Sequence, residues 1–144
     1  MSEATIHASC VSIGGRALLI IGRSGAGKSD LALRLIDRGA ALVSDDYTRV
    51  TAEGDQVLAS PPPTIKGKIE VRGVGIVEMP CEEQVPVALV VDLDRGPERL
   101  PEAGTYEVAG LAIPLVGLNG LEPSAPIKVE AALSLYGLSP LCRL

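Results

Sequence analysis

The stretch Gly22-Arg23-Ser24-Gly25-Ala26-Gly27-Lys28-Ser29 decides the fold, because it matches the pattern G-x-x-x-x-G-K-[ST] of a loop that binds nucleotide phosphates. Its glycines let the backbone curl so that successive N–H groups point at phosphate oxygens. We expect the whole stretch to form this binding loop, with Lys28 reaching the β- and γ-phosphates. Ser29 is expected to offer its hydroxyl to Mg²⁺.

The residues on either side of the stretch favour this interpretation over a glycine-rich turn with an incidental lysine. Residues 16–21 form an apolar run of the length of a buried strand. Leu31, Leu35 and Ile36 recur at helical spacing, and Gly39 is placed to end the helix. Strand, loop and helix therefore follow in the required order, and the helix directs the positive end of its dipole at the anion.

Size and composition predict one domain, spanning residues 1–144, with an aliphatic core. The chain is 47% hydrophobic but has no Phe or Trp, so base stacking on aromatic side chains is not expected. A net charge of −5 without a basic cluster argues against nucleic acid or an anionic membrane as a partner. Neither a secretory signal nor an apolar run of membrane-spanning length is recognisable, which predicts a soluble, cytoplasmic protein.

The cysteines predict no covalent or metal framework. Cys10, Cys81 and Cys142 are odd in number, scattered, and form no C-x-x-C pair. We expect buried, reduced thiols, with Cys142 the candidate for an exposed one.

Two adjacent acids, Asp45 and Asp46, follow the second predicted buried strand, residues 40–44. Ligands of open α/β sheets bind beyond the carboxyl ends of strands, where these acids are expected. Beside a phosphate-binding loop they suggest a metal ligand and a base, and a solvated turn with a capping Asp is the alternative. His7, the sole histidine, lies in the predicted first strand, residues 5–13, where a purely structural role is the alternative.

The other turn signals predict hairpins. Gly14-Gly15 is expected to join the first strand to the strand before the loop, and residues 49–60 and 105–116 are expected to form two further hairpins. Residues 61–63, all proline, predict an extended connector. Residues 66–76 contain spaced glycines, which favours a functional loop leaving a strand.

The remaining elements predict an α/β domain that is rich in strands. Residues 85–93 are expected to form another buried strand. Ser124 is expected to cap a second helix that has Pro126 in its first turn and ends at Gly137. Because only two helices accompany so many strands, a mixed sheet is expected rather than a purely parallel one.

The sequence resembles one family in three blocks: the catalytic domain of HPr kinase/phosphorylase, the bacterial serine kinase that acts on the phosphocarrier protein HPr. The blocks are His7, GRSGAGKSDLALRLIDRGAALVSDD at residues 22–46, and IEVRGVGI at residues 69–76, the most specific of the three. The resemblance implies a phosphate-loop domain with a mixed, largely antiparallel sheet, related to phosphoenolpyruvate carboxykinases. The chain is similar to short, alphaproteobacterial forms, without the separate N-terminal domain of longer members.

The resemblance implies ATP and Mg²⁺ as the bound groups. Lys28 and the loop amides would hold ATP. Ser29 and Glu70 would contact Mg²⁺, and Asp45 would support the metal or the base.

The resemblance also implies which residues carry the reaction. Asp46 would be the base that takes the proton from the acceptor serine. His7 matches a histidine of the family's active site, and Arg99 aligns with its catalytic arginine. These roles suit phosphoryl transfer, which needs charge neutralisation and in-line positioning more than covalent chemistry.

Residues 118–123, Leu-Asn-Gly-Leu-Glu-Pro, depart from the family pattern, because longer members carry there an arginine-rich loop linked to phosphorolysis. A loop without arginine is ill suited to bind inorganic phosphate. We therefore expect a kinase for an HPr-like carrier of a regulatory phosphotransferase system, with weak or absent phosphorolysis. The family assembles as a hexamer, so a homo-oligomer is one expectation for this chain.

Two other functions are left open by the sequence. One is a catalytically weak ATP-binding sensor that regulates a partner by contact, which the changed loop and the short C-terminus favour. The other is a kinase of a small metabolite. It ranks last, because only Arg72, Arg95 and Arg99 could line its acceptor site.

Overall fold

The computed structural model describes residues 3–95 and 104–139. Two α-helices and eleven strands form within these ranges, together with a 3₁₀ turn at Pro63–Ile65. The strands are β1 (Glu3–Ile6), β2 (Ser9–Ile13), β3 (Arg16–Ile21), β4 (Ala41–Ser44), β5 (Thr48–Glu53), β6 (Gln56–Ser60), β7 (Lys68–Val71), β8 (Gly75–Glu78), β9 (Val85–Asp92), β10 (Gly104–Val108) and β11 (Leu111–Gly117). The helices are α1 (Lys28–Asp37) and α2 (Ala125–Tyr136).

The main sheet is mixed and mostly antiparallel, as the sequence predicted. Its strands follow the order β1-β5-β6-β9-β3-β2-β4, and β11 joins at β9 with β10 beside it. Among the described strands only the pairs β3–β9 and β9–β11 are parallel. The parallel neighbours β3 and β9 therefore end at the same edge of the sheet, where the glycine-rich loop (residues 22–29) begins.

The sheet contains one long antiparallel ladder that is interrupted in its middle. The register that pairs Ile6 of β1 with Thr48 of β5 also pairs Cys10 of β2 with Ser44 of β4. Residues 7–9 therefore face residues 45–47 across the interruption. Since β1 runs on into β2 and β4 into β5, the sheet curls until its two ends meet at this point.

Two apolar clusters cover the two faces of the sheet, because side chains alternate along each strand. Helices α1 and α2 pack on one face, and Leu31 and Leu133 belong to the same apolar cluster as Leu18 of β3. The other cluster lies inside the curl and draws only on strands and the segments linking them, as with Leu19 and Val90. Aliphatic residues fill both clusters, as the composition predicted.

Most predicted elements form. The Gly14-Gly15 turn joins β2 to β3, and the hairpins β5–β6 and β10–β11 turn at Gly54 and Gly110. Cys10 is buried with a free thiol, whereas Cys81 is only half-buried, and Cys142 lies outside the described residues. Within the described ranges no helix is both long and apolar enough to cross a membrane.

The prediction of one strand over residues 5–13 was wrong at its centre. The chain bends at His7, where the N–H of Ala8 bonds to the carbonyl of Ile6 at 3.0 Å, inside a three-residue turn. The hydroxyl of Thr48 donates to the Ala8 carbonyl at 2.8 Å, so a side chain replaces the ladder partner. His7 consequently projects from a turn between β1 and β2 and is not a strand residue.

Three other expectations needed correction. Residues 66–76 are not a loop, because β7 and β8 pair as a separate hairpin, with Gly73 at φ 85° in its turn. The proline segment is extended at Pro62, as predicted, but Pro63 is already the first residue of the 3₁₀ turn. Ser124 occupies the N-cap position of α2, but its hydroxyl makes no capping bond, because its own backbone is already helical.

Candidate active site

The glycine-rich loop leaves β3 and leads directly into α1. Gly25 and Gly27 have φ values of 86° and 98°, a left-handed backbone that residues with a Cβ adopt only with strain. Lys28 is buried, and its Nζ donates to the carbonyls of Gly22 and Arg23 at 2.8 and 3.0 Å. The loop therefore curls round its own lysine, at the N-terminal end of the helix dipole.

Arg23 fastens the loop to the neighbouring strand. Its backbone N–H and its guanidinium donate to the two carboxylate oxygens of Asp94, at 2.7 and 2.9 Å. Asp94 lies just beyond β9, which pairs in parallel with β3. Arg23 thus contributes its side chain to anchoring the loop.

Asp45 is a buried carboxylate that joins three elements. Its Oδ1 accepts from the hydroxyl of Ser9 at 3.1 Å and from that of Ser29 at 2.5 Å. Its Oδ2 accepts from the backbone N–H of Glu70 at 3.0 Å. One side chain thereby holds together β2, the start of α1 and the β7–β8 hairpin.

Asp46 occupies a different environment from its neighbour. It is one of the described non-glycine residues in the left-handed region, at φ 68°, and its side chain is about half exposed. Its backbone N–H donates to Ser9 Oγ at 3.0 Å, and its Oδ1 lies 2.8 Å from Nε2 of His7. The ring of His7 stacks on Tyr47 with the centroids 5.2 Å apart. Asp46 is therefore a reachable carboxylate held in one orientation.

A cavity of about 450 Å³ brings these residues together, a size within the range of small-molecule sites. Its lining residues are Ser24, Gly25, Gly27, Lys28, Ser29, Asp30, Leu33, Asp45, Asp46, Glu70, Val71, Arg72 and Leu121. Gly22, Arg23, Ala26 and His7 are not among the lining residues. Most of the lining is polar, as a site for a phosphorylated ligand requires.

Comparison with known proteins identifies the family of this chain. Residues 1–94 match the family model described as HPr Serine kinase C-terminal domain. The chain belongs to this family. The HPr kinase/phosphorylases of Burkholderia lata and Burkholderia cenocepacia are each 36% identical to it, over 90% of this chain and 45% of the relative. The chain therefore spans about half the length of these curated relatives.

A solved structure from the HPr kinase family has the same fold. The Hpr(Ser) kinase/phosphatase from Coxiella burnetii superposes with a TM-score of 0.78 and 30% sequence identity, over 91% of this chain and 88% of that one. The mixed, curled sheet described above is therefore the fold of that HPr kinase.

The geometry assembles most of the residues that the sequence singled out in this HPr kinase family member. Lys28, Ser29, Asp45, Asp46 and Glu70 all line the cavity. His7 reaches the site through Asp46. Arg99 lies outside the described residues.

Sequence reasoning missed several residues that shape the site. Ser9 bridges Asp45 and Asp46, and its signal was a buried polar residue at the start of a mostly apolar strand. Tyr47 and Asp94 carried no signal, because their contacts depend on the register of the sheet.

The possible ligands for a metal ion are oxygen atoms. Within residues 3–95 and 104–139, no three His, Cys, Asp or Glu side chains are placed to hold a metal ion. The Ser29 hydroxyl and the Asp45 carboxylate lie in contact beside the cavity, and Mg²⁺ prefers such hard oxygen ligands. This pair fits Mg²⁺ when a ligand's phosphate oxygens complete the coordination.

Proposed function

We propose that this protein is an ATP-dependent, Mg²⁺-requiring kinase that transfers the γ-phosphate to a serine of an HPr-like phosphocarrier of a regulatory phosphotransferase system. The observation that carries the proposal is the exposed carboxylate of Asp46, held by His7 on a cavity that Lys28 and Ser29 also line. The names of the Burkholderia and Coxiella relatives support HPr as the acceptor.

The proposal extends to the setting of the reaction. We place residues 1–144 in one catalytic domain of the phosphoenolpyruvate carboxykinase-like, phosphate-loop type, working in the cytoplasm. We further propose that the chain forms a homo-oligomer, by analogy with the hexamer of the family. Nucleic acid and membranes are not proposed as partners, given the net charge of −5.

The proposed step is an in-line displacement at the γ-phosphorus. The serine oxygen of the carrier forms a bond to phosphorus, the bond to the β–γ bridging oxygen breaks, and ADP leaves. Asp46 accepts the serine proton, while His7 and Ser9 keep its carboxylate in place. Lys28 and the loop amides neutralise charge on the phosphates, and Arg99 is proposed to share this task on the strength of the family resemblance.

Mg²⁺ would be held by Ser29, Asp45 and Glu70, and when bound it would neutralise phosphate charge. Lys28 must exchange its bonds to the Gly22 and Arg23 carbonyls for bonds to phosphate as ATP enters. Ser29 must likewise turn its hydroxyl from Asp45 towards the metal.

Weak or absent phosphorolysis forms part of the proposal. Residues 118–123 contain no basic side chain, and the cations Arg34 and Lys128, which contact this segment, are already engaged by it. Arg34 donates to the carbonyls of Gly120 and Glu122, and Lys128 pairs with the Glu122 carboxylate at 2.6 Å. A free phosphate ion would therefore find little uncompensated positive charge on this segment.

The decisive experiment combines purified protein, labelled ATP, Mg²⁺ and an HPr-like carrier. We expect label on one carrier serine, lost in Lys28→Ala and reduced about 10²- to 10⁴-fold in Asp46→Asn. ATP binding without transfer would contradict the kinase and favour a nucleotide sensor. The reverse direction is tested by incubating the serine-phosphorylated carrier with phosphate, which should release little pyrophosphate. Rapid release would contradict the proposal of weak or absent phosphorolysis.

A further inference from the structure

Leu121 lies on the segment that replaces the family's arginine-rich loop, and its position is fixed although its side chain is 69% exposed. Its backbone N–H donates to Asn119 Oδ1 at 3.0 Å. The carbonyls of the residues on both sides of it, Gly120 and Glu122, accept from one guanidinium, that of Arg34. The backbone on both sides of this exposed leucine is therefore held by hydrogen bonds from Arg34.

The clamp ties this segment to the helix that starts at the glycine-rich loop. Arg34 belongs to α1 and is mostly buried, and its Nε donates to Asp30 Oδ2 at 3.0 Å. Asp30 lines the cavity. Gly120 packs so closely on Leu93 that an added Cβ would lie 2.8 Å from Leu93 Cδ1. These contacts tie the backbone around Leu121 to the helix that begins at the glycine-rich loop.

The side chain of Leu121 reaches the end of the loop that would hold the transferred phosphate. Its Cδ2 lies 3.1 Å from where a Cβ on Gly27 would stand, and it lines the same cavity as Lys28, Ser29 and Asp46. Most of the other lining residues are polar. The exposed surface of Leu121 contributes nothing to the core, so the clamp is best explained by a task in the cavity.

We propose that Leu121, clamped by Arg34, covers the transfer site and makes it select the acceptor hydroxyl over water; this inference rests on the proposed kinase function. Water and a serine hydroxyl are both oxygen nucleophiles for the γ-phosphorus. In hydrolysis the water oxygen bonds to phosphorus, the bond to the β–γ bridging oxygen breaks, and ADP and phosphate leave. An apolar group over the site removes hydrogen-bonding positions for that water.

The test measures ATP hydrolysis with Mg²⁺ and no carrier, by release of phosphate. We expect Leu121→Ser to hydrolyse ATP at least about fivefold faster than the unaltered protein, with the KM for ATP changed less than about twofold. Leu121→Met, which keeps an apolar cover, should behave like the unaltered protein. Leu135→Ser is the matched control, because Leu135 is also an exposed leucine, on α2, away from the cavity.

A second variant tests the clamp itself. Arg34→Lys keeps the positive charge but lacks the planar guanidinium that donates to both carbonyls. It should therefore raise ATP hydrolysis as Leu121→Ser does. Unchanged or slower hydrolysis in Leu121→Ser would overturn the inference. Since this assay contains no carrier, its outcome is separate from that of the transfer assay, whose failure in the unaltered protein would count against the kinase function alone.

Discussion

His7 and Asp46 stand at the centres of two facing three-residue turns, and Nε2 of the first lies 2.8 Å from Oδ1 of the second. In one turn the N–H of Ala8 bonds to the carbonyl of Ile6, and in the other the N–H of Tyr47 bonds to that of Asp45. The two turns interrupt the long ladder at the same level. The His7–Asp46 pair is thus exposed where this ladder stops pairing.

This arrangement predicts a selective loss in His7→Ala. Asp46 would lose the partner that orients its carboxylate, so transfer to the carrier should fall about tenfold or more. The KM for ATP should change little, because His7 does not line the cavity. Steady-state kinetics with varied ATP measure both quantities. Tyr47→Phe is the control, since it keeps the ring stacked on His7, and an equal loss there would refute the assignment.

Asp45→Asn should destabilise the fold far more than Asp46→Asn. The Asp45 carboxylate accepts three hydrogen bonds in a buried position, and an amide can accept fewer and brings donors of its own. We expect a loss of about 1–3 kcal/mol in the free energy of unfolding. Asp46 is half exposed, and asparagine tolerates the left-handed backbone there, so its variant should lose less than about 0.5 kcal/mol. Urea unfolding compares the two, and a loss below about 0.5 kcal/mol in Asp45→Asn would show that the Asp45 network carries little stability.

Leu121→Arg should strengthen the reverse reaction. The substitution puts a guanidinium where the leucine now overhangs the glycine-rich loop, and a charge-assisted bond to phosphate is then available. Phosphate-dependent release of pyrophosphate from the serine-phosphorylated carrier should rise about tenfold, which corresponds to about 1.4 kcal/mol. Leu135→Arg adds the same charge on α2 and should have no effect. An unaltered rate in Leu121→Arg would mean that charge at this position does not limit phosphorolysis.

The thiol of Cys10 should resist alkylation. Burial raises the pKa of this thiol well above its usual range, so the reactive thiolate is scarce at pH 8, and reagents cannot reach it in the folded chain. Cys81 is half-buried and should react sooner. Iodoacetamide labelling followed by peptide mass spectrometry measures each site. Labelling of Cys10 as fast as Cys81 without denaturant would show that the sheet opens readily near β2.

The sequence was sufficient for features that depend on local patterns. The order of strand, glycine-rich loop and helix, the Gly14-Gly15 turn and the two helices follow from spacing within a few residues. The Asp45-Asp46 pair was also accessible, because acids directly after a buried strand of an α/β sheet fall at the ligand edge. The sequence could not show which of the two acids is buried and which is exposed. The partners of Asp45, Ser9 and Glu70, come from distant segments.

The bend at His7 was missed because it depends on a side chain from another strand. Apolar residues occupy every second position at Ile6, Ala8 and Cys10, so no sequence pattern in residues 5–13 predicts a bend. The bend exists because Thr48, 40 residues further on, supplies its hydroxyl to the Ala8 carbonyl. The β7–β8 hairpin was mistaken for a loop because its spaced glycines resemble a flexible segment, whereas Gly73 is what its tight turn requires.

The interrupted ladder has a consequence for how the protein folds. The His7–Asp46 and Ser9–Asp45 bonds join segments 39 and 36 residues apart, and they form only when the curled sheet closes on itself. Closure over such a separation is slow and comes with the cooperative collapse of the whole domain. An intermediate with an open sheet would therefore lack the His7–Asp46 contact entirely. During refolding, transferase activity should return in the same kinetic phase as the last strand pairing, which makes activity itself a probe of sheet closure.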